Sequence, residues 1–337
     1  MSKCVGVITT IHQPSKSVKL LSEMAVSNST NIVVIGDDKT PKNWNLENCV
    51  YFSISDQMTS SYSDFAQMLP RNHYSRKNLG YLFARDLGAD WIFDTDDDNY
   101  PIKNVLEAPE NYVMGRAFQN SSKIWVNSYQ YFLGNTDLFW PRGFPLTKVG
   151  ETETSEPTKY ESFSDIQQSC ANLDPDLDAI GRLVIPQRRV QFQQRDPLLL
   201  YKGQWSPFNS QATWFSKRVF PLLYLPSTCS FRVTDILRSY VANHVLKAIN
   251  SSLSFHSPSV EQYRNEHSLL SDFEDEVFLY INAEKIQIAI SKISLTNLTE
   301  DLPGMINKCY EVLMHNEWVG ELEMTLLSKY LEYMVPN

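Results

Sequence analysis

Asp90-Trp91-Ile92-Phe93-Asp94-Thr95-Asp96-Asp97-Asp98-Asn99 is an apolar run that ends in four carboxylates within five residues. Trp91, Ile92 and Phe93 are aromatic or β-branched and follow a Gly-Ala break, so they predict a buried strand carrying the acids to its carboxyl end. In open α/β sheets, that end is where ligands bind.

Three readings of the acids compete. A solvated turn needs only water. A calcium loop of the EF-hand type would use Asp94, Asp96 and Asp98 at its first positions. However, Asn99 replaces the sharp-turn glycine, Val105 stands where a bidentate glutamate belongs, and a strand rather than a helix leads in. The third reading is a divalent ion, Mn2+ or Mg2+, anchored by Asp94 and Asp96, with the diphosphate oxygens of a nucleotide completing its shell. Asp97 would assist the ion or bind the ribose.

The preceding segment favours the third reading. Tyr74-Ser75-Arg76-Lys77-Asn78-Leu79-Gly80 opens a predicted helix that runs to Ala89, with Leu79, Leu82, Phe83 and Leu87 on its buried face. Arg76 and Lys77 lie in the first turn, where cations oppose the helix dipole unless an anion is bound nearby. With Asn78 they are expected to hold the donor phosphates. Helix, Gly-Ala turn, apolar strand and Asp-x-Asp together resemble the donor half of GT-A glycosyltransferases, which bind nucleotide sugars through a metal.

The 337 residues are 42% hydrophobic, enough for one large core or two modest ones. A net charge of −9 argues against a nucleic-acid partner, whose phosphates demand basic residues. The five cysteines include no Cys-x-x-Cys pair, so ordinary buried thiols are expected. No apolar run approaches the roughly 20 residues of a membrane helix, and no signal-peptide pattern follows Met1. The expectation is a soluble cytoplasmic protein or a membrane-peripheral one. Sequons at Asn28, Asn120, Asn250 and Asn297 would matter only in a secretory compartment.

Residues 4–11 predict a first strand, Ser15 or Ser17 a cap, and Val18, Leu21, Met24 and Ala25 the inner face of a helix. Strands are predicted over 31–36 and 50–54, giving α/β grammar in which Thr9, Asp37 and Asp94 share one sheet edge. That edge would cradle a nucleoside, with Asp37 accepting from a uracil imide or a ribose hydroxyl; an Asx-turn is its structural alternative. Residues 123–132 and 138–145 are aromatic-rich, as sugar-binding surfaces and ordinary cores both are. Arg142, between Pro141 and Gly143, is assigned to a donor phosphate, with a surface salt bridge as its structural alternative. Residues 151–164 are polar and aperiodic, and predict a mobile insertion or lid.

Pro41 to Trp44, Tyr74 to Phe83, Trp140 to Pro145 and Thr234 to Tyr240 resemble the STELLO-type glycosyltransferase-like family, and the likeness spans roughly residues 4 to 290. Plant members are Golgi membrane proteins with GT-A-like domains, associated with cellulose synthase assembly. The resemblance implies a GT-A-like, Rossmann-like open sheet flanked by helices, with a helical C-terminal extension. Asp-Thr-Asp-Asp-Asp stands here where the family pattern is Asp-Ala-Asp-Asp.

Thr234 or Asp235 is read as opening a helix that continues through Val245. Inverting GT-A enzymes place a carboxylate at such an acceptor-side helix start, followed by a basic residue, as Asp235 precedes Arg238. By that analogy Asp235 is the catalytic base, standing opposite the leaving nucleotide, and Arg238 contacts the donor. His256 would complete the metal site, with His244 and His267 as alternatives. Apolar residues at helical spacing predict helices over 275–293, 305–315 and 318–334, a bundle packed on the sheet or contacting a protein partner.

The organisation expected is a GT-A-like domain over 1–267, with a donor half about 1–150, the insertion about 151–164 and an acceptor half about 165–267, then the extension over 268–337. The activity expected is metal-dependent, inverting transfer of a sugar from a UDP- or GDP-sugar to a carbohydrate or other hydroxyl acceptor. A non-catalytic scaffold is the alternative from another class, and a sugar-nucleotide mutase or nucleotidyltransferase the alternative chemistry.

Overall fold

The computed structural model describes residues 2–134, 138–151, 153–185, 189–264, 268–295 and 301–335. His267 and Asn297, singled out above, lie outside the described residues, as does residue 152 of the expected insertion.

Alternating apolar residues build the sheet. Val5, Val7, Val33, Ile35 and Ile92 point to one side of it, and Cys4, Ile8, Ile32, Val34, Trp91 and Phe93 to the other, so each strand feeds two cores. Among the described residues there are eleven strands: β1 (Cys4–Thr10), β2 (Ile32–Gly36), β3 (Cys49–Phe52), β4 (Trp91–Thr95), β5 (Asn99–Pro101), β6 (Tyr112–Ala117), β7 (Thr158–Phe163), β8 (Ile166–Leu173), β9 (Leu198–Leu199), β10 (Ala212–Ser216) and β11 (Leu253–Gln262). They form one open sheet in the order β3-β2-β1-β4-β10-β8-β11-β9-β6-β7, with β5 beside β11. The β3-β2-β1-β4 quartet is parallel. β10 runs antiparallel to both β4 and β8. The expected open sheet flanked by helices, with a helical C-terminal region, is therefore present, as a mixed sheet.

The helices are α1 (Lys16–Ser27), α2 (Ile54–Thr59), α3 (Ser63–Met68), α4 (Lys77–Asp86), α5 (Ser128–Leu133), α6 (Ala179–Val184), α7 (Thr234–Ala248), α8 (Leu269–Ser291), α9 (Leu302–His315) and α10 (Leu322–Met334). Ser15 caps α1 by accepting from Val18 N. One 3-10 turn, Tyr74–Arg76, precedes α4. Gly80 lets α4 lie close on the sheet, because a Cβ there would come within 2.6 Å of Val7 Cγ1. α9 packs on α7, and α10 on α3 and α4, so the C-terminal helices share the larger core with the sheet.

One expectation is corrected. Thr158–Phe163, placed in a mobile lid, forms β7 and pairs antiparallel with β6 from Tyr112–Phe163 to Ala117–Thr158. Its polar residues lie on an edge strand that has water on one side, a position that tolerates polarity without loss of pairing.

Candidate active site

A cavity of about 460 Å3 opens at the carboxyl ends of β1, β2 and β4. The chain order reverses between β1 and β4, the switch point at which doubly wound sheets leave a crevice. Thr9 and Thr10 line it from β1, Asp37 from the end of β2, and Asp96, Asp97 and Asp98 from the loop after β4. Arg142, Asp176, Arg232 and Asp235 also line it.

Asp94 is not on that surface. Its side chain is fully buried, with Oδ1 2.7 Å from Lys77 Nζ and Oδ2 2.9 Å from an Arg238 Nη. Burial alone would push this carboxyl up, but Lys77 and Arg238 hold it below the usual carboxylate range. The cation that the acid run demands is thus first supplied by the protein. Lys77 Nζ also donates to Thr95 O at 2.6 Å and to Asp96 Oδ1 at 3.2 Å, so one buried ammonium bridges both ends of the Asp-x-Asp. Arg238, likewise buried, donates to Ser210 Oγ at 2.9 Å and lies over the rings of Phe208 and Phe215.

Geometry revises four more assignments. Arg76 points its guanidinium at Gln57 Oε1 and at the carbonyls of Ala66, Leu69 and Pro70, which tie down the α2–α3 connection rather than a phosphate. Burial draws its pKa down to about 10. Asn78 exchanges two 2.8 Å hydrogen bonds with the Leu225 backbone. His256 lies on β11 outside the cavity lining, within 2.9 Å of Ser254 Oγ; burial, then Lys103, lowers its pKa to about 4. His244, the other described alternative, faces Ile293 O at 3.0 Å.

Asp235 does not cap α7. Val233 occupies the cap position without a side-chain bond, and both Asp235 oxygens accept from Arg142, at 3.0 and 2.9 Å. Arg142 also grips Asp176 at 2.9 Å and donates to Arg232 O. It is a buried clamp between two carboxylates, and they raise its pKa against the cost of burial. Asp37 accepts from Asp38 N at 2.8 Å and from His73 N at 3.3 Å, an Asx-type arrangement that leaves it on the cavity wall.

Asp176, Arg232, Glu276 and Gln262 were not assigned roles from sequence. Glu276, fully buried on α8, binds Arg232 Nε at 2.8 Å and Ala179 N at 2.7 Å. One signal pointed there: Asp174-Pro175-Asp176-Leu177-Asp178 repeats the alternating-carboxylate pattern of residues 94–98.

The fit to a divalent ion rests on the loop acids. Among the described residues, no three His, Cys, Asp or Glu side chains group into a ready cation cage. Asp96, Asp97 and Asp98 do line the cavity with hard oxygen donors, and Asp98 is pushed up to about 7 by burial and by the neighbouring Asp96 and Asp97 carboxylates. A carboxyl destabilised in this way favours a cation, and magnesium-type sites need only one or two protein carboxylates when substrate phosphates supply other ligands.

The family model described as STELLO glycosyltransferases matches residues 232–335. Probable glycosyltransferase STELLO2 of Arabidopsis thaliana is 28% identical over 298 residues, 83% of this chain and 38% of that protein. Probable glycosyltransferase STELLO1 of the same plant is 26% identical with the same coverage. The chain therefore spans 38% of the length of these curated relatives. Among solved structures, a mycobacterial protein aligns with a TM-score of 0.41 at 8% identity, covering 85% of this chain and 74% of that one. Glucosyl-3-phosphoglycerate synthase from Mycobacterium tuberculosis aligns at 0.37 and 10% identity, covering 83% and 80%.

Proposed function

Because the chain is a relative of the STELLO glycosyltransferases, we propose that it transfers a sugar from a nucleoside-diphosphate donor to a hydroxyl acceptor in the cavity at the β1–β4 switch point. One observation carries the reading: Thr10, Asp37, the acids 96–98 and Asp235 all line that one cavity. The nucleoside would lie along the ends of β1 and β2. Asp96 and Asp98 would hold Mn2+ or Mg2+, whose charge, when bound, stabilises the departing diphosphate.

Asp235 takes the proton of the acceptor hydroxyl as that oxygen bonds to the anomeric carbon, while the anomeric carbon–oxygen bond to the diphosphate breaks on the far side. Arg142 orients the carboxylate, and each Asp235 oxygen keeps a lone pair for the acceptor. In-line displacement of this kind inverts the anomeric centre.

A scaffold without catalysis has its own support, since Asp94 and Asp235 both have their two oxygens engaged by resident cations. A panel of nucleotide sugars assayed for hydrolysis and transfer, with Mn2+ or with EDTA, separates the two. Catalysis predicts metal-dependent turnover that Asp235→Asn lowers by about two orders of magnitude with nucleotide affinity unchanged. Absence of saturable nucleotide binding would leave the scaffold.

A further inference from the structure

α8 is apolar on two opposite faces. Leu279, Ala283, Ile286 and Ile290, with Asp272 and Glu276, are buried against the molecule. On the outer side Leu270, Phe273, the half-buried Val277, Ile281 and Ile288 follow at steps of three, four, four and seven residues. Leu270 is 72% exposed, Ile281 57%, Ile288 51% and Phe273 37%. A helix whose inner face is already buried has no need of a second apolar stripe on its outer face unless that stripe is covered too. The stripe runs about 27 Å at 1.5 Å per residue, which makes it a contact face rather than a scatter of single apolar residues.

Charge on one flank of the stripe says what covers it. At 100° per residue, Glu274 lies on that flank toward the N-terminal end, and Lys285 and Lys292 lie on the same flank toward the C-terminal end; all three are exposed. Two copies of α8 packed antiparallel about a two-fold axis near residue 279 bring identical flanks together. In that register Leu270 meets Ile288 of the partner subunit, Val277 meets Ile281 of the partner subunit, and Glu274 comes within one residue step of Lys285 of the partner subunit on the shared flank. Glu284, an acid on the stripe, is turned back to its own chain, accepting from Thr147 Oγ1 with Lys148 Nζ at 3.9 Å. We infer that the outer face of α8 is the interface for a second copy of this chain, paired antiparallel about a two-fold axis.

Sedimentation equilibrium of the purified chain across about 1–100 µM tests this, a range suited to an interface built on one helix. The native chain is expected to dimerise. Ile281→Asp, at an exposed position that leaves the fold intact by circular dichroism, is expected to be monomeric throughout. Glu274→Lys should weaken the dimer about tenfold, and Glu274→Lys with Lys285→Glu should restore it. A native chain that stays monomeric overturns the inference, as does a dimer that survives Ile281→Asp or a double swap that restores nothing. A monomer that sediments with phospholipid vesicles would assign the face to a lipid surface and equally overturn it.

Discussion

The acids of β4 and of the loop after it divide by solvent access into two chemistries, and substitution should separate them. Asp94→Asn would leave the buried Lys77 and Arg238 without their shared counter-ion, at an expected cost of about 3–5 kcal/mol in urea denaturation. Asp97→Asn weakens one hydrogen bond from Thr10 at the cavity wall and should cost about 1 kcal/mol or less. Asp98 adds a pH dependence. Its ordinary value is 3.8, and burial with Asp96 and Asp97 raises it to about 7 in the folded chain. The folded state therefore prefers the protonated form, whose stabilisation is complete below about pH 4 and is lost as pH rises through about 7. Asp98→Asn mimics that form. In EDTA it should be more stable than the native chain at pH 8 by about 1 kcal/mol, a figure reduced for partial solvent exposure, and no more stable near pH 4; melting curves across this range check it.

At the scale of elements, the C-terminal helices, read from sequence as a bundle packed on the sheet or contacting a partner, reach the site through two carboxylates with no exposed surface. Glu276 of α8 fixes Arg232, whose carbonyl accepts from the Arg142 that holds Asp235. Glu323 of α10 accepts from the Tyr224 hydroxyl, Ser227 N at 3.0 Å, Thr228 N at 2.8 Å and Thr228 Oγ1 at 2.6 Å, which pins the loop leading into α7. Glu323→Ala strands these donors and is expected to lower stability by about 3 kcal/mol or more. Glu323→Gln, which keeps an acceptor oxygen, should lose less. Chemical denaturation of the two variants checks the order.

For the whole molecule, Leu279, Met305, Leu326 and Tyr330 of the C-terminal helices belong to the same core as Val5, Val33 and Ile92 of the sheet. Ending the chain before α8 would uncover that core, so the shortened protein is expected to be insoluble or molten. The full chain should melt in one calorimetric transition, and two separated transitions would contradict a shared core. The sequence by itself located the strands read over 4–11 and 31–36 and through Trp91–Phe93, a helix read over 74–89 that forms as Lys77–Asp86, and the delivery of acids to a sheet edge. These rest on apolar periodicity and turn residues, which are local. Tertiary structure alone decided which charges face the cavity. Lys77 reads as a donor ligand from its place in a first helical turn, Arg142 from its turn setting and Arg238 by family analogy, yet each is buried against a carboxylate distant in the chain. Pairing of that kind depends on how strands and helices from remote segments stack, and spacing along the chain does not encode it. The polar run at 158–163 is the converse case: residues without an apolar pattern became a strand because β6 offered a free edge to pair with.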